Sequence, residues 1–335
     1  MTQVLKTVVV GLGQVGSRFD EEPTRKVVWT HVGAYLALPD TFELVGACEP
    51  NADNAAHFKA RCPGVPVFGD LGALLAATSP DVASICTPIA SHRSALLSLL
   101  DKPSLKAIWC EKPLADRLED AESMVSSAAA RAVPVVVSHV RRWVPLWRRM
   151  KALVDSGAVG PLRCVRIAMP NRLWSIGSHA VDLALFLGGR ITDLKSLDIA
   201  ALRQEGESAR AALLQFASGA YGIVQVTGTH ENLMVEAEVI GDAGRVWARE
   251  DVGEIRIERF AASPFYKGYR QLADATVETH ATLTDASPFV AIAAEIADLV
   301  RGSRTAATCD GAAALAVQRA LAQMAGMDTV GVRVA

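Results

Sequence analysis

Gly11, Gly13 and Gly16 stand in the order G-x-G-x-x-G within Gly11-Leu12-Gly13-Gln14-Val15-Gly16, directly after the apolar run Lys6 to Val10. Between a strand and a helix, that spacing suits a pyrophosphate. The first glycine makes a tight turn, the second lets the backbone approach the phosphates, and the third allows close packing of helix on strand. Backbone amides at the helix start then meet the phosphate oxygens. Alone the triplet is weak, because glycines recur at this spacing in ordinary turns. Glu49 adds to it. It closes the apolar run Glu43 to Cys48, where a carboxylate would hold a ribose diol and repel a 2′-phosphate, so NAD is the expected dinucleotide ahead of NADP.

Farther along, Ser175, His179 and Asp182 are spaced i, i+4 and i+7, one face of a helix. A histidine there could move a proton; equally, it could be a satisfied core residue. Asn171, Arg172 and Trp174 just upstream could line a pocket for a polyhydroxylated ring, or form a tight turn around a buried tryptophan. The basic and aromatic run His139 to Arg149 reads as charged helix flanks, with phosphate contact by Arg141 or Arg142 as the other reading. Cys48, Cys62, Cys86, Cys110, Cys164 and Cys309 form no CxxC pair and no Cys/His cluster at metal-ligand spacing. No metal is therefore expected, and the thiols read as reduced core residues of a cytoplasmic protein.

These residues need elements to hold them. With 335 residues the chain exceeds a single core, so two domains are expected, at 1–138 and 139–335. Half of the residues are hydrophobic and the net charge is −2, which favours a small-molecule partner over nucleic acid. No apolar stretch has membrane-spanning length. The first part alternates strands (Thr7 to Val10, Glu43 to Cys48, Val65 to Phe68, Val82 to Cys86, Ala107 to Cys110, Val133 to Ser138) with helical stretches (Asn54 to Arg61, Leu71 to Thr78, Ser91 to Leu100, Leu118 to Arg131). That order builds a parallel sheet with crossover helices. After a helix at Leu146 to Ser156 and a strand at Leu162 to Met169, the pattern becomes antiparallel: Ala211 to Phe216, Tyr221 to Thr229, Met234 to Ile240, Arg245 to Arg249 and Glu254 to Phe260. Helices at Pro288 to Arg301 and Gly311 to Met324 end the reading. Glu49 lies 33 residues after Gly16, where about 20 would be ordinary. The charged, proline-bearing stretch Ser17 to Thr30 is therefore expected as an inserted loop before a helix at His31 to Leu38, covering the cofactor or merely solvated. His230, His280 and Tyr266 to Arg270 receive no role.

Three further stretches occur in order: Ser84-Ile85-Cys86-Thr87-Pro88 with His92 after it, Cys110-Glu111-Lys112-Pro113-Leu114, and Gly177-Ser178-His179-Ala180-Val181-Asp182. With the glycine loop, Arg142, Pro145, Gly157-Ala158-Val159-Gly160 and Asp310-Gly311, they resemble the glucose-fructose oxidoreductase / inositol dehydrogenase / MocA family over nearly the whole chain.

The resemblance implies an N-terminal Rossmann domain, a doubly wound parallel sheet. It also implies a C-terminal α/β domain with a large, mostly antiparallel open sheet that serves a homodimer or homotetramer. It implies NAD(P)-dependent hydride transfer on a secondary alcohol or ketone of a sugar, cyclitol or nucleotide sugar. Cofactor contacts then fall on Gly11 to Gly16, Glu49, Thr87, Pro88, His92, Glu111 and Lys112, and substrate contacts on Asn171, Arg172, Trp174, Ser175 and Asp182. Lys112 would lie beside the nicotinamide and the substrate hydroxyl. A partly desolvated lysine at a strand end has its pKa lowered and can relay a proton. His179 would be its partner in proton handling. Ser175 departs from the family, whose segment commonly reads Asp-x-x-x-His-x-x-Asp, and a serine cannot accept a proton as a carboxylate does. That keeps two alternatives open: an NAD-dependent glycoside hydrolase and a non-catalytic dinucleotide-binding sensor.

Overall fold

The computed structural model of the chain describes residues 3–170, 172–204, 207–227 and 234–326. Asn171, Thr229 and His230 lie outside the described residues. The chain forms two compact units. Among the described residues, the first runs to Val140 and includes Ser287–Ala316; the second takes Arg141–Ala286 and 317–326.

In the first unit β1 (Leu5–Val10), α1 (His31–Leu36), β2 (Phe42–Cys48), α2 (Ala52–Arg61), β3 (Val67–Phe68), α3 (Leu71–Ala77), β4 (Val82–Ile85), α4 (His92–Leu100), β5 (Ala107–Cys110), α5 (Leu118–Ala130) and β6 (Val135–Val137) follow one another. The six strands are all parallel in the order β3-β2-β1-β4-β5-β6. This is the doubly wound arrangement, whose strand order reverses between β1 and β4 and leaves a crevice at their carboxyl ends. The central strands are apolar almost throughout because crossover helices cover both faces: β4 and β5 are buried along their whole length. Side-chain caps start the helices, with Asn51 accepting the Asn54 amide and Asp70 the Ala73 amide.

The expected insertion is present, and it interrupts the first crossover helix. After the glycine loop the chain makes one turn, in which the Ser17 and Phe19 amides donate to the Gly13 and Gln14 carbonyls, and a 3-10 turn at Arg18–Glu21. It then leaves the helix axis and returns at Thr30, whose hydroxyl caps α1 by accepting the Gly33 amide (2.9 Å). The His31 and Val32 amides donate to the Val15 and Gly16 carbonyls at 3.1 and 3.0 Å. Helix α1 thus takes up the hydrogen bonds that a continuous helix would have made.

The sequence reading put everything after 138 into a second domain. In the structure α8 (Pro288–Arg301) instead packs on α1 and β5, because its buried stripe of Phe289, Ile292, Ala293 and Ile296 finds apolar cover there. Beyond it, the Val137 amide donates to the Cys309 carbonyl and Val136 bridges Asp310, which covers the edge of β6.

The second unit holds α6 (Pro145–Asp155), β7 (Leu162–Met169), α7 (Ser178–Gly188), β8 (Ile191–Gln204), β9 (Glu207–Phe216), β10 (Tyr221–Val226), β11 (Glu236–Gly241), β12 (Gly244–Arg249), β13 (Glu254–Ala262), β14 (Arg270–Thr279) and the end of α9 (Gly311–Ala325). Its eight strands run β14-β13-β12-β11-β7-β10-β9-β8, with only the β7 and β10 pair parallel. Helix α7 is apolar nearly all round and packs on β7 and β10. Sequence patterning missed β8 and β14. Both are edge strands, where one-sided pairing and exposure remove the demand for alternation; β14 has no fully buried residue.

Candidate functional site

The carboxyl ends of β1, β4 and β5 carry the residues singled out in the first unit. Gly11 has φ of +93°, and a Cβ on it would lie 2.7 Å from the Cys86 carbonyl carbon and oxygen and 2.8 Å from the Thr87 nitrogen. Only glycine meets both conditions. A Cβ on Gly16 would collide with the Gly11 carbonyl oxygen, so the third glycine sets the close approach of the turn to the strand. Gly13 differs, since a Cβ there would meet nothing within 4 Å. Two glycines are therefore required by the protein's own packing, and the middle one faces open space of the kind a pyrophosphate would fill.

Glu49 lies at the end of β2, 8% exposed, with one carboxylate oxygen accepting the Leu12 amide (2.7 Å) and the other the Asn51 amide (2.8 Å). The carboxylate therefore braces the glycine loop and keeps its negative charge at the loop's rim, where the remaining lone pairs can accept ribose hydroxyls. Leu12 is fully buried, whereas Gln14 is exposed. Beside the loop, the buried Thr87 hydroxyl finds no hydrogen-bond partner among the described residues. An open middle glycine, a fixed rim carboxylate and an unsatisfied hydroxyl together fit a dinucleotide.

His92 is 1% exposed and joins two loops. One ring nitrogen faces the Thr87 carbonyl at 2.9 Å, and the other faces the Pro113 and Leu114 carbonyls at 3.1 Å. The histidine thus ties the β4 end, with Thr87 and the exposed Pro88, to the segment that carries Glu111 and Lys112. The Lys112-Pro113 peptide is cis.

Sequence reasoning missed the partner of Glu111. The His31 ring, fully buried, lies 3.0 Å from a Glu111 carboxylate oxygen through Nε2 and 2.9 Å from the Ser84 hydroxyl through Nδ1. The Tyr35 hydroxyl meets the same Ser84 oxygen at 2.8 Å. Trp109 stacks on His31 with ring centroids 3.7 Å apart and donates its indole N–H to Ser138 at 2.8 Å. Burial pushes the His31 pKa down, against the pull of Glu111, which leaves the ring uncharged at neutral pH. Burial raises the Glu111 carboxyl, but hydrogen bonds from His31 and Ser138 and the nearby Lys112 charge outweigh it and hold it below its ordinary value. The available signal was the i, i+4 placement of His31 and Tyr35 on the apolar side of α1.

In the second unit, the turn over 172–177 closes where the Gly177 amide donates to the Arg172 carbonyl (2.9 Å). A Cβ on Gly177 would come within 2.7 Å of that carbonyl, so the glycine permits the turn. Helix α7 consequently begins at Ser178, and the shared helical face expected for Ser175, His179 and Asp182 holds for only the last two. Ser175 is exposed, Arg172 and Trp174 are half-buried, and His179 is 6% exposed. Asp182 is fully buried and accepts the Arg142 guanidinium at 2.8 Å. Arg141 pairs with Glu250 (2.8 Å), which also accepts the Trp147 indole. Arg141 and Arg142 therefore both have partners inside this unit.

Residues 5–139 match the family described as the GFO_IDH_MocA oxidoreductase family, with an NAD-binding Rossmann fold. Over these residues, less than half of its length, the chain is similar to that family. Among curated relatives it is 27% identical over 184 residues to the galactose/lactose metabolism regulatory protein GAL80 of Saccharomyces cerevisiae, covering 49% of this chain and 42% of that protein. It is 29% identical over 178 residues to the D-apiose dehydrogenase of Rhizobium rhizogenes, covering 48% of this chain and 51% of the relative. The chain thus spans about half the length of these curated relatives. In fold it is similar to an oxidoreductase from Agrobacterium radiobacter in complex with NAD+, L-tartaric acid and magnesium, with a TM-score of 0.76, 20% identity, and coverage of 95% of this chain and 94% of that one. Among the described residues no group of His, Cys, Asp and Glu could hold a metal ion. None of the described helices is long and apolar enough to cross a membrane.

Proposed function

We propose that this chain is an NAD-dependent dehydrogenase that moves a hydride between the nicotinamide and a secondary alcohol or ketone of a sugar, cyclitol or nucleotide sugar. The observation that carries this reading is the glycine loop open over Gly13 and braced by Glu49, with Lys112 two strands away at the end of β5. When bound, the dinucleotide supplies the hydride acceptor or donor. Loop amides and Gly13 receive its diphosphate, and Glu49 accepts its ribose hydroxyls. The same carboxylate repels a 2′-phosphate, which makes NADP the poorer ligand.

Lys112 takes the proton from the substrate hydroxyl as the C–H bond gives up its hydride, and returns it in ketone reduction. His179 is the second proton-handling group of this reading. Arg172, Trp174 and Ser175, with Asn171, supply the substrate contacts, Trp174 offering a flat apolar face to a ring. Asp182 acts through Arg142, its partner in the interior. The apiose dehydrogenase relative supports a polyhydroxylated substrate. Residues 1–138 carry the nucleotide in this reading, and the chain beyond them, apart from the α8 segment packed on the first unit, the substrate contacts and self-association. Exposed Leu197, Leu213 and Tyr221 on the second sheet favour a homodimer or homotetramer through that sheet. The six free cysteines favour the cytoplasm.

Exposed Ser175, where the family commonly has an aspartate, and the similarity to a regulatory protein favour a second reading, a dinucleotide-binding sensor. One experiment separates the two. Absorbance of reduced nicotinamide is followed for wild type and Lys112→Ala with NAD and a panel of polyols, sugars and nucleotide sugars. Turnover that the variant loses while still binding NADH supports the dehydrogenase. NADH binding without turnover on any panel member favours the sensor.

A further inference from the structure

The buried contacts of His31 have a direction. An ionised carboxylate only accepts, so His31 donates from Nε2 to Glu111; its Nδ1 then accepts the Ser84 hydroxyl, whose oxygen in turn accepts the Tyr35 hydroxyl. Each donor is used once along this chain, and the imidazole stays uncharged. At its far end Tyr35 is 1% exposed and packed against Phe42 and Trp109, with ring centroids 5.0 and 5.9 Å away. No solvent lies there to receive a proton, so the chain holds groups in place and does not conduct. The His31 backbone amide meanwhile donates to Val15 in the glycine loop.

We propose that His31 is a positioning residue: its neutral imidazole clamps the Glu111 carboxylate, so that one fixed negative charge stands beside Lys112 and ties that strand end to the glycine loop. A charged imidazole would neutralise the carboxylate, whereas the neutral one orients it and leaves its field on the neighbouring ammonium. The other groups facing Glu111 are the Ser138 hydroxyl and the Cys86 and Cys110 thiols, whose pKa values burial raises first and the Glu111 charge raises further. Its importance for turnover rests on the role proposed for Lys112; the clamp itself does not.

The test is a titration of Lys112 that needs no substrate. Lysines are reductively methylated with ¹³C-formaldehyde, which keeps their charge, and the Lys112 resonance is assigned by its loss in Lys112→Arg. Glu111→Gln, which deletes the charge, is expected to shift the Lys112 midpoint to lower pH; His31→Leu, which keeps the charge but frees it to turn away, should shift it the same way by less, and the double variant should match Glu111→Gln. His31→Gln, whose amide can donate to Glu111 and accept from Ser84, should restore the wild-type midpoint. If His31→Leu does not fold, His31→Asn, too short to reach Glu111, replaces it. A wild-type midpoint in the unclamped variant, or shifts that add in the double variant, overturns the proposal. Lys112→Ala with undiminished turnover on the substrate panel would overturn the role of Lys112, while the titration would still decide the clamp.

Discussion

Asp20 accepts the hydroxyl of Thr30 at 2.5 Å, and so fastens the inserted segment across ten residues of chain. Its other oxygen accepts the Trp29 amide (2.6 Å), and the Arg61 guanidinium from α2 adds an ion pair at 2.8 Å. Replacing Asp20 by alanine should remove all three contacts at a site that is 12% exposed. A loss of ~1–3 kcal/mol is expected in urea unfolding. An unchanged midpoint would mean that the segment contributes nothing to the first unit.

The glycines of the loop should respond differently to the same substitution. Gly16→Ala forces a methyl onto the Gly11 carbonyl and is expected to lower the melting temperature. Gly13→Ala meets no protein atom, so its melting temperature should stay near wild type while NADH binding weakens. Calorimetry and NADH fluorescence on the two variants check both expectations. Equal NADH affinity in Gly13→Ala and wild type would argue against a diphosphate over Gly13.

Acid should act on the second unit through Glu278. The Arg149 guanidinium, bound through two of its nitrogens at 2.7 Å, and then the His280 ring hold its carboxyl at about 2, against an ordinary value of 4.5. Because the folded value is depressed, the contribution is complete above about 4.5 and is lost as pH falls towards about 2. Arg149 is 40% exposed, so solvent screens part of it. Urea midpoints measured from pH 6 down should fall more steeply in wild type than in Glu278→Gln; parallel curves would refute the assignment.

Asp182→Ala takes the carboxylate away from the buried Arg142 guanidinium. Destabilisation of ~3–5 kcal/mol is expected, the usual cost of breaking one side of a buried pair. The double variant Arg142→Met, Asp182→Leu should recover much of it. A stable Asp182→Ala protein that instead loses only substrate affinity would place Asp182 at the substrate.

Local rules carried much of this structure. The strand Leu162–Met169 and the helix Pro288–Arg301 have the bounds their periodicity predicts, and the excess spacing between Gly16 and Glu49 announced the insertion. Edge strands β8 and β14 escaped because one-sided pairing and exposure weaken the period-two signal. The His31–Glu111 pair escaped for another reason: its residues are 80 positions apart and meet only when β5 and α1 are already in place. Ser175 was misassigned to a helix because the tight turn under Gly177 depends on a backbone approach that side-chain spacing does not report.

Helix α1 resumes its hydrogen bonding to Val15 and Gly16 as though residues 18–29 had never intervened. The segment is therefore a splice, joined at two neighbouring points on one axis, and its length is decoupled from the geometry of the sheet beneath. A foreign peptide could be grafted at the exposed Glu22 to Thr24, between the points that Asp20 and Trp29 fasten, without shifting the register of β2, which makes this the natural port for a reporter or an affinity handle.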